Sequence, residues 1–298
     1  SSSFVDPSDG RHEYGGMWDV VSLLGFVVAA GCLEWESAVE PKCIDLQHGS
    51  TWESEHWAAI DKELLFFWKR GDGFVLDPSE RLDIDVPPAA PEPGTSWQSD
   101  VKFDIHRPST YGEITTSGVR QLGRLMGMSS AGENVVFMDL GSGVGKAVVQ
   151  AYLEWPVVQR SIGVELARSR ARAAVASWNM MLSSGRADQL REAVVQLGDT
   201  SARTSSDSSE AVLLLQGDML HADVSDVTHL FVNSLCLTSD IMSRLAAKLS
   251  QEASKLHSVV VLKSFPDGLT GFQLVRTASL EMSWSAGVEG KLYQRIQQ

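Results

Sequence analysis

Positive charge is scarce in this 298-residue chain: 25 Lys and Arg stand against 38 Asp and Glu, for a formal net charge of −13 at pH 7. Domains that grip nucleic acid through their overall field are ordinarily basic. That mode of binding is excluded, and no strong intrinsic DNA-binding patch or basic tail is visible. Cysteine is scarcer still. Cys32, Cys43 and Cys236 are odd in number, scattered and without a Cys-x-x-Cys pair, so neither a disulfide framework nor a zinc site is expected. Such usage suits a reducing compartment. Long apolar runs are missing too. The longest uncharged stretch, Val20 to Leu33, spans about 14 residues, whereas a membrane span needs about 18 or more. Only Arg11 precedes it as positive charge, a poor signal peptide. It reads as a buried helix, and no membrane partner is expected.

What is present is ordinary globular usage, 43% hydrophobic and 21% charged, enough for a real core in one large domain with an appendage or in two modest ones. Five of the ten prolines fall between Pro78 and Pro93, inside the acidic stretch "DPSERLDIDVPPAAPEPGTSWQSD". Few apolar side chains there offset the entropy of ordering, so a linker or extended loop is expected. It divides a helical N-terminal domain (1–105) from a second domain (106–298). In the first, Trp18, Trp35, Trp52, Trp57 and Trp68 sit among helical patterns. Trp57, Ile60, Leu64 and Phe67 of "WAAIDKELLFFWKR" recur at helix spacing, which favours helix-packing aromatics over a ligand cage.

Past residue 105 strands alternate with amphipathic helices. Strands are expected over 135–140, 161–165, 211–216, 229–233, 258–263 and 272–278. Helices are expected over 118–126, 146–153, 168–182 and 240–256. Strands separated by helices imply an α/β fold with a doubly wound, mostly parallel sheet. The polar segment "GDTSARTSSDSSE" reads as a surface insertion, and His221 and His229, flanking a loop, read as surface residues.

"VVFMDLGSGVGKAVV" places a glycine turn between the first strand and its helix, a corner that binds ligands in open α/β sheets. A phosphate-binding P-loop ending at Gly145-Lys146 would need Gly at 140 and a hydroxyl at 147. The chain has Leu140 and Ala147. Gly141, Gly143 and Gly145 are also one residue tighter than the dinucleotide fingerprint, and Asp139 precedes them. A carboxylate there suits a cationic ligand and repels a pyrophosphate. S-adenosylmethionine carries an ammonium and a sulfonium. Glu165, 26 residues after Asp139, ends the next strand, where a carboxylate accepts ribose hydroxyls. Asp218 follows the third and is placed to accept from an adenine amino group.

"TYGEIT" (110–115), "DLGSGVGKAVVQ" (139–150), "GVE" (163–165), "QGDML" (216–220), "FVNSLCL" (231–237), "VVVLKSF" (259–265) and "SWSAG" (283–287) together resemble the non-SET histone lysine methyltransferases, the disruptor-of-telomeric-silencing family. The glycine motif is shared widely. "TYGE" with "VN" and "SW" is much more specific. The resemblance implies a seven-stranded class I methyltransferase sheet beside a smaller helical N-terminal domain, with S-adenosylmethionine consumed and S-adenosylhomocysteine released. It places Thr110, Tyr111, Gly112, Glu113, Asp139, Gly141, Gly143, Gly145, Lys146, Glu165, Asp218 and Met219 around the cofactor, with Asn233 beside the transferred methyl group. Tyr111 takes part from the loop over the cofactor, and Leu237, Trp284 and Tyr293 are assigned to a lysine channel. It implies a lysine of the histone H3 core in the nucleosome as substrate, and nuclear residence. The chain departs from the family where Ser234, Leu235 and Leu237 replace a second Asn and aromatics, where Lys146 replaces a polar amide, and where the basic DNA-gripping segment is absent. Methylation of a non-histone protein or small amine, and a silent chromatin-binding module, stay open as alternatives.

Overall fold

The computed structural model describes residues 51–68, 72–74, 76–85, 109–129, 134–197 and 208–296. The stretch Val20 to Leu33, Trp18, Trp35, the expected boundary near residue 105 and residues 198–207 of the polar insertion lie outside them. One compact unit runs from His48 onward.

Seven strands form one sheet: β1 (Val135–Leu140), β2 (Val158–Glu165), β3 (Val212–Gln216), β4 (His229–Val232), β5 (Ser258–Val261), β6 (Phe272–Met282) and β7 (Ser285–Arg295). Their order is β3-β2-β1-β4-β5-β7-β6. Strands β1 to β5 pair in parallel, and β7 runs antiparallel to β5 and β6. This is the doubly wound, mostly parallel seven-stranded sheet expected from the sequence. Its winding reverses between β1 and β4, which opens a crevice at their carboxyl ends. Near-continuous apolar strands such as β1 and β5 reflect burial on both faces. Met138, Leu140, Ile162, Val164, Leu230 and Val232 point to one face, Val135, Phe137, Phe231 and Val260 to the other.

Eight helices are described: α1 (Thr51–Phe67), α2 (Pro78–Asp85), α3 (Thr116–Met126), α4 (Lys146–Glu154), α5 (Arg168–Ser183), α6 (Arg186–Leu197), α7 (Ser208–Ala211) and α8 (Ser239–Glu252). Helix α8 buries Met242, Leu245 and Leu249 on the first face, and α3 and α4 cover the second. None of the described helices is long and apolar enough to cross a membrane. The helix expected around Trp57 to Phe67 is α1. It packs Ile60, Leu64 and Phe67, with Trp68 just past its end, against Val148, Val149, Tyr152 and Leu153 of α4. Arg120 of α3 joins these layers: its Nη2 meets Asp61 of α1 at 2.7 Å and Glu154 of α4 at 2.5 Å, and its guanidinium covers the Trp57 ring at 5.0 Å. Arg120→Ala leaves Glu154 buried without its cation. We expect a loss of about 3 kcal/mol of stability, read by urea unfolding.

Three expectations are corrected. The acidic proline stretch, expected as a linker or loop, begins as helix α2. Asp77 Oδ1 accepts the Ser79 amide at 2.8 Å and Pro78 occupies the first helical position, whose amide needs no partner. None of its residues is buried, so no apolar period marked it. Strand β7 was not among the six expected strands, because two glycines and a mostly exposed surface mask its alternation. His229, expected at the surface, is buried in β4 between Phe137 and Ser258. Burial, helped by His257, pushes its pKa down to about 4.

Candidate active site

The carboxyl ends of β1, β2, β3 and β4 lie along one edge of the sheet, and the glycine corner closes the gap above β1. Amides of Gly141 and Ser142 donate to the Val164 carbonyl at 2.8 and 3.1 Å, folding the turn back onto β2. Gly141 has φ +85°, and a Cβ there would face open space, with the Met219 Cε nearest at 3.9 Å. Gly143 has φ +57°, and a Cβ would stand 2.8 Å from the Tyr111 ring. Only glycine meets both demands at low strain. Gly145 ends the turn as the α4 N-cap, with no side chain capping the helix. Gly143→Ala strains the turn and displaces Tyr111, so S-adenosylmethionine, the ligand expected from the sequence, should bind more weakly, by about tenfold or more, in a calorimetric titration.

Two acids meet beside this corner. Asp139 is buried, and its Oδ1 has no hydrogen-bond partner. Burial, with the charge of Glu165 behind it, pushes the Asp139 carboxyl up to about 8. Glu165 is also buried, but it is tied in: Oε2 accepts the Gly143 amide at 2.8 Å and Oε1 the Ala167 amide at 2.9 Å. Asp218 follows β3 and caps a short 3-10 turn, accepting the Leu220 amide at 2.9 Å and meeting His221 Nδ1 at 3.1 Å. Met219 begins that turn.

The "TYGE" loop lies against the corner, held from several sides. Asn233 Nδ2, just past β4, donates to the Gly112 carbonyl at 3.2 Å. Ser283 and Glu113 exchange two hydrogen bonds, Glu113 N to Ser283 Oγ at 3.0 Å and Ser283 N to the Glu113 carbonyl at 2.7 Å. The Trp284 ring lies against Gly112, in space a Cβ would occupy. Tyr111 donates its hydroxyl to Glu113, whose other oxygen meets Lys146 Nζ at 2.7 Å. Burial and the neighbouring Glu113 charge push the Tyr111 phenol above its ordinary pKa, so it acts as a neutral donor. Thr110 is exposed at the start of the loop.

Of the expected channel residues, Leu237 and Trp284 lie on segments of this cluster. Trp284 sits on the loop and is 46% exposed. Leu237 is half-buried in the turn after β4, where Lys263 Nζ donates to its carbonyl at 2.9 Å. Ser234, one of the departures from the family, accepts the Leu262 and Lys263 amides at 3.1 and 2.8 Å and fixes that turn beside β5. Tyr293 is not brought to this cluster. The β7 register sets it opposite Val259 at the start of β5, and its ring packs in the core against Phe265, 5.4 Å between centroids. Residues not anticipated also serve the site. Trp68 Nε1 donates to the Val144 carbonyl within the corner at 2.6 Å, and the Arg170 guanidinium covers the Tyr111 ring at 4.6 Å. Trp68 stood among the helical aromatics, but nothing in the sequence marked its indole N–H.

An orphaned buried carboxylate oxygen beside an open glycine suits a ligand that brings a cationic N–H donor, and a second acid two residues along the neighbouring strand suits one that brings hydroxyls. S-adenosylmethionine meets both requirements. Over residues 101–268, more than half of the chain, the sequence matches the family described as histone methylation protein DOT1. The chain belongs to the DOT1 family. It is an S-adenosylmethionine-dependent protein lysine methyltransferase. In structure it is similar to an RNA methyltransferase from Salinibacter ruber in complex with S-adenosyl-L-homocysteine, at 21% identity, TM-score 0.39, 60% of this chain and 91% of that one. It is also similar to magnesium protoporphyrin IX methyltransferase from Synechocystis with bound S-adenosylmethionine, at 12% identity, TM-score 0.41, 79% of this chain and 97% of that one. Comparison with curated proteins gave no match.

Proposed function

We propose that this DOT1-family enzyme methylates a lysine in the globular core of histone H3 in the nucleosome, and so works in the nucleus. The observation that carries the reading is the docking of the "TYGE" loop by Asn233 and by the Ser283-Trp284 turn, beside the acid-lined corner. Three motifs remote in sequence meet beside the glycine corner, which supports the reading.

In this reading Asp139 receives the ammonium of the cofactor's methionine end, Glu165 the ribose hydroxyls and Asp218 the adenine amino group. Gly141, Gly143, Gly145 and Met219 shape the floor, while Thr110, Tyr111, Gly112, Glu113 and Lys146 close over the methionine end. The cofactor supplies an electrophilic methyl group on a sulfonium. Transfer to an amine is an in-line displacement, so the protein's work is alignment and delivery of a neutral lysine. An apolar passage lowers the lysine pKa by desolvation, a role for Leu237 and Trp284. The Trp284 face also attracts a methylated ammonium. Asn233 fixes the geometry around the methyl group and is not a base. The chain's acidic charge favours encounter with basic histones.

Radiolabelled methyl transfer to nucleosomes, free histones and a panel of small amines tests this. Label on histone H3 of nucleosomes supports it. Label confined to small amines contradicts it, and cofactor binding with no transfer to any acceptor favours a silent module.

A further inference from the structure

Arg170 lies in the first turn of α5, five residues after Glu165, in a run of charged and small residues that reads as a solvated helix face. The structure instead leaves it 5% exposed. A guanidinium is kept out of water only where its donors find acceptors, since an unpaired buried charge is strongly destabilising. Two of its partners, Glu165 and the Tyr111 ring, border the glycine corner at Gly143. Nε donates to the Gly73 carbonyl at 3.0 Å and Nη2 to the Ser109 carbonyl at 2.7 Å. Nη1 lies 3.9 Å from Glu165 Oε1. The guanidinium covers the Tyr111 ring, which Phe74 meets edge-on at 5.1 Å.

We propose that Arg170 is a positioning residue for the cofactor, which fastens the 109–113 loop over the glycine corner and ties that loop to the carboxylate of Glu165. The assignment rests on reading the corner as the S-adenosylmethionine site. Segments 72–74 and 109–113 lie outside the strands, so side chains must fix their position. Arg170 reaches both from one planar group. Helix α2 braces the arrangement: Asp85 accepts the Ser109 amide at 2.9 Å and its hydroxyl at 2.7 Å, and Glu80 accepts the Ser169 amide at 3.1 Å. One guanidinium therefore joins the loop over the methionine end of the cofactor to the acid at the ribose end. Its loss weakens capture of the cofactor and leaves transfer from bound cofactor largely intact. Lysine is no substitute, because a single ammonium cannot donate to two carbonyls and stack on a ring at once.

The test compares Arg170→Lys and Asp85→Ala with the unmodified enzyme, by calorimetric titration with S-adenosylmethionine, melting temperature, and kcat and KM at saturating cofactor. Arg170→Lys should weaken cofactor binding about tenfold or more, while kcat and the KM for the protein substrate at saturating cofactor change less than about threefold. A purely structural role would lower kcat through loss of active protein and leave the affinity of the folded fraction unchanged. Asp85→Ala, on the half-exposed end of α2, should weaken binding about threefold. If Arg170→Lys fails to fold, this variant decides alone. A Tyr111→Ala background should absorb part of the Arg170→Lys effect, because the ring is one of the contacts through which Arg170 acts. Cofactor affinity within twofold of the unmodified enzyme in either single variant, or effects that add fully on Tyr111→Ala, would overturn the proposal. No binding by the unmodified enzyme would overturn the site reading itself.

Discussion

Asp139→Asn is expected to weaken S-adenosylmethionine binding by about 10- to 100-fold and, without ligand, to raise the melting temperature increasingly as pH rises. The cause is the buried, unpartnered Oδ1 next to Glu165. The carboxyl titrates near 8 in the folded protein and near 4 in the unfolded chain. Between these values the folded state keeps a proton that the unfolded state has released, so rising pH removes stability through this group. The contribution is fully present below about pH 4 and lost as pH passes about 8. Asparagine cannot ionise, so the variant's advantage should grow from about pH 4, be about half developed at pH 6, and level off above about pH 8, rising by about 1–3 kcal/mol between pH 6 and pH 9, or several degrees. Binding has the opposite sign. An ammonium at Asp139 favours the carboxylate, so the unmodified enzyme should bind more tightly as pH rises toward 8. Above that the ligand's own amino group loses its proton, and affinity should turn over. Differential scanning fluorimetry and titration calorimetry across pH 6 to 9 read both effects.

Asn233→Ala should reduce methyl transfer about 100-fold, with cofactor affinity reduced less than tenfold. The amide bridges the end of β4 and the Gly112 carbonyl, at the crevice where the sheet's winding reverses. An in-line displacement is intolerant of misplacement, and a shift of about 1 Å can lower rate about 100-fold. Cofactor binding draws on more groups, of which Asp139 and Glu165 remain. Single-turnover transfer from preloaded enzyme separates the two. An equal loss in transfer and affinity would make Asn233 a loop anchor only.

The sheet was legible in the sequence where strands are buried on both faces, as β1 and β5 show, and where glycines must turn a corner, as at Gly141. Asp139 and Glu165 were legible because each stands at the end of an apolar run. The rest depended on contacts that no local pattern encodes. Helix α2 starts on a good cap and then buries nothing. The polar helix α6 went unexpected among charged residues. The position of Tyr293 follows from the β7 register, which the sequence does not announce. Arg170 has the composition of a surface residue and acquires its role only when Gly73, Ser109 and Glu165 surround it.

Titration of S-adenosylmethionine into the enzyme at pH 7, in two buffers of different ionisation heat, bears most directly on the Asp139 carboxylate as the receiver of the ligand's ammonium. Saturable binding with release of close to one proton, absent in Asp139→Asn, is the predicted result. Well-folded enzyme that takes up no ligand, or takes it up with no proton released, would contradict the account.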